Sequence, residues 1–70
     1  MKVAFIGGGI MAGALIGGML QAGFKASEID VAEIDSARRA ELTERHKVRT
    51  HERPGDWLQA SETIVLAVKP

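Results

Sequence analysis

Val3-Ala4-Phe5-Ile6-Gly7-Gly8-Gly9-Ile10-Met11-Ala12 decides the fold of this 70-residue chain. Four apolar residues run into three glycines, and a helical pattern starts directly behind them. A strand that is apolar at every position suits the centre of a parallel sheet covered by helices. Gly7-x-Gly9-x-x-Ala12 then matches a dinucleotide fingerprint with Ala in the third place. Each position has a physical task. Gly7 permits a tight strand-to-helix turn, Gly9 lets a pyrophosphate approach the backbone, and Ala12 keeps the helix close to the sheet. The helix N-terminus supplies free N–H groups and partial positive charge to the phosphates.

Outward from this stretch the chain alternates between strand and helix. The spacing predicts a first helix from Ile10, with Ile10, Leu15 and Met19 on a buried face together with Ala14 and Ala22, and a stop at Gly23. Ser27-Glu28 reads as loop. Ile29–Ile34 is a second strand, and Asp35 or Ser36 caps a helix from Ala37 to about His46. That helix turns Ala40 and Leu42 inward and exposes its charges. Val48-Arg49-Thr50 is a short third strand. Pro54-Gly55 breaks the chain, and Asp56–Ala60 is a helical turn anchored by Trp57 and Leu58. Thr63–Val68 is the fourth strand and the most strongly β-forming run. The order implies an α/β, Rossmann-like parallel sheet with right-handed crossovers and spatial strand order 3-2-1-4. The whole chain, residues 1–70, reads as the N-terminal part of one dinucleotide-binding domain.

Composition sets the limits. Nine basic and nine acidic residues balance, which argues against a nucleic-acid partner. The absence of Cys excludes disulfides, thiolate zinc sites and cysteine nucleophiles. The absence of Tyr excludes a tyrosine general acid. Val3 to Phe24 carries no charge and holds Gly9, Gly13 and Gly17 at GxxxG spacing, so a membrane segment has to be weighed. Three successive glycines inside such a helix would each cost about 0.8–1 kcal/mol relative to Ala. A strand broken by a glycine turn accounts for the stretch better, and no membrane partner is expected.

Glu33 lies 21 residues beyond Ala12, close to the usual spacing of about 20 for the acid that receives the adenosine ribose hydroxyls. Such an acid favours NAD(H) over NADP(H), because a 2′-phosphate would face its charge. Arg38 and Arg39 could neutralise that phosphate, although a solvated helix face suits them better. His46 and His51 read as surface histidines, five apart and poorly spaced for a shared metal. Trp57 reads as a core anchor for the short helix, with a place near an adenine ring as the other reading. Met11 suits either the cofactor or the core. Lys69 falls at the carboxyl end of a strand beside the first, where open α/β sheets bind ligands.

Phe5–Ala12, then Ala14-Leu15-Ile16-Gly17-Gly18, and finally Val65-Leu66-Ala67-Val68-Lys69-Pro70 together resemble the N-terminal region of pyrroline-5-carboxylate reductases over the whole chain. β-Hydroxyacid dehydrogenases and coenzyme F420-linked NADP oxidoreductases share the glycines, but the closing Ala-Val-Lys-Pro favours the reductase. The resemblance implies reduction of a cyclic imine to proline with hydride from NADPH or NADH, in the cytoplasm. It implies that Ile6, Gly7, Gly8, Gly9, Ile10 and Met11 wrap the pyrophosphate. Ile34, beside Glu33, would lie near the adenosine ribose or 2′-phosphate. Ala67, Val68, Lys69 and Pro70 would run beside the nicotinamide-side ribose. It further implies a C-terminal helical domain that binds the imine and forms a homo-oligomer, so the 70 residues alone are expected to lack activity. Three departures matter: Ile10 stands where the family usually has Asn, Glu33-Ile34-Asp35 is acidic where a 2′-phosphate would sit, and Pro54 replaces a frequent Asn. The alternatives are a stand-alone nucleotide-binding module without catalysis, or a related β-hydroxyacid dehydrogenase or F420-linked NADP oxidoreductase.

Overall fold

The computed structural model describes residues 1–68, so Lys69 and Pro70 lie outside the described residues. Four strands, β1 (Val3–Ile6), β2 (Ile29–Ala32), β3 (Arg49–His51) and β4 (Thr63–Leu66), form one sheet in the order β3-β2-β1-β4. Every pairing is parallel, with Phe5 opposite Val31 and Val65, and Ala32 opposite His51. This is the 3-2-1-4 order expected of a Rossmann-like α/β fold. Helix α1 (Ile10–Gln21) follows β1 and helix α2 (Ser36–His46) follows β2. Short 3-10 segments, Ala26–Glu28 and Asp56–Ala60, precede β2 and β4.

The sheet is unequally covered. Val3, Phe5, Ile29 and Val31 meet Ala12 and Ile16 of α1 and Leu42 of α2 in one buried cluster that also holds Val48. Successive strand residues alternate between faces, so Ala4, Asp30 and Ile64 share the second face with Ile6, Ala32 and Leu66. The Asp56–Ala60 segment lies on that side, through Trp57 stacked on His51 at 4.1 Å between ring centroids. Beneath the stack Asp30 is buried and receives the Arg49 guanidinium in a two-pronged pair at 2.9 and 3.0 Å. His51 Nε2 lies 2.9 Å from the same carboxylate. Burial pushes the Asp30 carboxyl up, but the Arg49 and His51 contacts outweigh it and hold its pKa below the ordinary value. His51 is therefore a half-buried partner of Asp30 rather than a surface histidine. Trp57 is a half-buried lid on that ring rather than a core anchor.

The buried face of α1 differs from expectation. Ile10 is 89% exposed and Leu15 46%, Ala14 and Ala22 are exposed, and Met19 is only partly buried, while Ala12 and Ile16 are fully buried. The helix is apolar around most of its girth, so periodicity does not select a face. Contact with the sheet does, and it falls to the small Ala12 next to the turn. Ala40 is likewise exposed, leaving Leu42 as the buried residue of α2. The strands run shorter than expected at β2 and β4, and β3 begins one residue later. After Ala32 one more ladder bond forms, Glu33 N–H to the His51 carbonyl at 2.8 Å. The chain then turns, because Asp35 accepts the Ala37 N–H at 2.9 Å and starts α2 at Ser36. Gly23, at φ +108°, ends the turn that follows α1.

Candidate dinucleotide site

The carboxyl ends of β1, β2 and β4 meet at one edge of the sheet, and the glycine turn leaves β1 there. Gly7 has φ +100°, and its backbone lies flat against the exit of β4. A Cβ on Gly7 would fall 2.8 Å from the Ala67 carbonyl oxygen. The Ala67 N–H in turn donates to the Ile6 carbonyl at 2.8 Å. Gly8 is the packing glycine, because a Cβ there would fall 2.7 Å from Leu42 Cδ1 and 3.2 Å from Glu33 Cβ. Gly9 is different again. Among the described residues nothing lies within 4 Å of its absent Cβ, and its φ of −71° suits any residue. Its smallness therefore serves no neighbour among the described residues, and they leave the backbone open from outside.

Helix α1 starts on Gly9 with no side-chain cap and no acidic residue in its first turn. Its first N–H groups have no intrahelical acceptors. They form an uncapped positive pole that an anionic group can occupy. Two adjoining cavities flank it. One, of about 440 Å³, is lined by Ile6, Gly7–Gly9, Glu33, Ile34, Arg53, Pro54, Ala67 and Val68 among others. The other, of about 550 Å³, is bordered by Gly9, Ile10, Met11, Glu33, Arg38 and Val68 among others. All ten described residues expected at the site thus border one or both. Lys69 and Pro70, expected there too, fall outside the described residues. Met11 is exposed rather than packed in the core, and Ile34 is exposed on the rim. Open backbone at Gly9, free N–H groups and adjoining space make the edge fit a dinucleotide's pyrophosphate.

The charged residues behave differently from the sequence expectation. Glu33 accepts the Gly8 N–H at 2.8 Å on one carboxylate oxygen and the Asp35 N–H at 2.8 Å on the other. It thus braces the glycine turn, and the remaining lone pairs can still receive ribose hydroxyls. Arg38 and Arg39 are half-buried rather than a solvated face. Arg38 donates to the Gly8 and Gly9 carbonyls, and Arg39 to those of Glu33 at 2.7 Å and Ile34 at 3.0 Å. Arg53 was not singled out by sequence. It stands on the cavity rim, 77% exposed at its side chain, and pairs with Glu52 at 3.0 Å. The available signal was its place two residues past β3, at the same edge as Glu33. His46 faces the α1–α2 seam, where burial and then the nearby Arg45 and Arg38 lower its pKa. Among the described residues no group of three or more His, Cys, Asp or Glu converges as a metal site would. No helix among them is long and apolar enough to cross a membrane.

The model of one protein family, described as NADP oxidoreductase coenzyme F420-dependent, matches residues 2–70. The chain belongs to this family. A comparison with curated proteins finds no match. Membership in the F420-dependent NADP oxidoreductase family makes the chain a nucleotide-binding oxidoreductase module, with a nicotinamide dinucleotide as its partner. The F420-dependent NADP oxidoreductase family is also that of the N-terminal domain of pyrroline-5-carboxylate reductases, the resemblance carried by Phe5–Ala12 and Val65–Pro70.

Proposed function

We propose that this chain is the NAD(P)H-binding portion of a pyrroline-5-carboxylate reductase, acting in proline biosynthesis. One observation carries the reading. Parts of the first and last stretches that bear the resemblance, Gly7–Met11 and Ala67-Val68, border the same pair of cavities although some sixty residues separate them in sequence. The turn binds pyrophosphate through backbone N–H groups, and the β4 exit orients the nicotinamide half. When bound, the nicotinamide supplies hydride chemistry, and the protein positions it. A helical domain beyond Pro70 would hold the imine and form a homo-oligomer in the cytoplasm, and the 70 residues alone would not turn over. The reading frame downstream of Pro70 and an assay of the 70-residue chain with the cyclic imine and NADPH test this. Turnover by the chain alone, or a frame that stops at Pro70, overturns it in favour of another reductase or a binding module.

Cofactor preference turns on Arg53 and Glu33. Arg38 and Arg39 are engaged with backbone carbonyls, so among the described residues Arg53 is the cation placed to meet a 2′-phosphate beside Ile34. Arg53→Ser is expected to weaken NADPH by about tenfold, or about 1.4 kcal/mol, and leave NADH nearly unchanged. Glu33 supports the opposite preference, and Glu33→Ser selectively weakening NADH in the same titration calorimetry would make NAD(H) the natural cofactor.

A further inference from the structure

Arg38 grips the phosphate turn by its backbone carbonyls. Its Nε donates to the Gly8 carbonyl and its Nη2 to the Gly9 carbonyl at 2.8 Å. Its Nη1 is docked on the Glu41 carboxylate at 2.5 Å, one helical turn along α2. A trans peptide is planar, so each carbonyl points opposite to the N–H of the following residue. Holding the carbonyls of Gly8 and Gly9, the latter together with the Gly13 N–H that donates to it at 3.0 Å, therefore fixes the N–H directions of Gly9 and Ile10, away from the guanidinium. Among the described residues no protein group accepts from either N–H. The Gly9 backbone is also the open part of the turn. We infer that Arg38 is a positioning residue for the dinucleotide. Its planar fork, anchored by Glu41, aims two backbone donors at the pyrophosphate without touching it. This rests on the dinucleotide reading above.

A cation near phosphates would also help by charge alone, and Lys separates the two roles. Lysine keeps the charge, but its three donors rotate on one compact ammonium at the end of a flexible stem and do not reproduce the rigid planar fork. The test uses ADP-ribose, which carries the pyrophosphate without the nicotinamide, titrated into wild type, Arg38→Lys and Arg38→Met. Amide resonances of Gly9 and Ile10 are followed in the ligand-free proteins. Both variants are expected to bind about tenfold more weakly, with those two resonances displaced before any ligand is added. Wild-type affinity in Arg38→Lys would leave only a charge effect and overturn the inference. Affinities within about twofold of wild type in both variants would reduce Arg38 to a structural brace and overturn it too. Should both variants fail to fold, Glu41→Gln decides, because it keeps Arg38 and removes its anchor. Weaker ADP-ribose binding with displaced Gly9 and Ile10 resonances supports the inference, and no change in either overturns it. A wild type that binds neither ADP-ribose nor NADPH is a distinct result, which overturns the dinucleotide reading itself.

Discussion

Three adjacent glycines do three different things, and substitution separates them. Gly9→Ala meets open space, so its stability should stay within about 1 kcal/mol of wild type. Its dinucleotide affinity should fall, because the added methyl occupies the approach to the backbone. Gly8→Ala should show the larger stability loss, about 1–3 kcal/mol from overpacking against Leu42 and Glu33. Gly7→Ala combines a left-handed φ with a collision against backbone and should be the most damaging of the three. Denaturant titration and calorimetric binding, measured on the same samples, check the order. The fingerprint assigns tasks to Gly7 and Gly9 because their roles follow from local turn geometry. It is silent on Gly8, whose neighbour Leu42 arrives from 34 residues away. The same distance hides Arg38: a sequence shows an arginine near a helix start, not the carbonyls it meets.

At the scale of elements, the strand order was legible and the helix face was not. Short connections and right-handed crossovers leave few ways to join four parallel strands. Helix α1, by contrast, carries no charged residue from Ile10 to Gln21, so its pattern holds no contrast from which a face can be read. Two substitutions make the point measurable. Ile16→Ala should cost about 2–5 kcal/mol, as truncation of a fully buried side chain does. Ile10→Ser, at an exposed position, should change stability by no more than about 0.5 kcal/mol. Comparable losses at both would mean that the buried face has been misassigned.

Across the whole molecule the two sheet faces are stabilised by different means. The face under α1 and α2 is apolar, whereas the other contains the Asp30, Arg49 and His51 cluster under Trp57. Asp30 has its pKa depressed in the folded state. In the unfolded chain its carboxyl returns to about 3.9. As pH falls through that value the unfolded state takes up the proton first. The contribution of Asp30 is therefore complete above it and is lost as pH falls on through the folded pKa. Asp30→Asn should lower stability at neutral pH by about 1.5–3 kcal/mol, the range for a hydrogen bond to a charged group. It should also flatten the acid side of the stability profile, read from melting temperatures between about pH 2 and 6. A variant with an unchanged acid limb would remove Asp30 as its cause.

The contact between Gly7 and Ala67 also sets an order in time. The turn that cradles phosphate belongs to the first strand, yet its fit is completed by a carbonyl sixty positions later in the chain. Closing so distant a contact is slow compared with forming a local helix. During synthesis the cradle must wait for β4, although its own residues are made some sixty positions earlier. Acquisition of nucleotide affinity would then mark the docking of β4 onto β1, and a bound nucleotide would preferentially stabilise chains that have reached it.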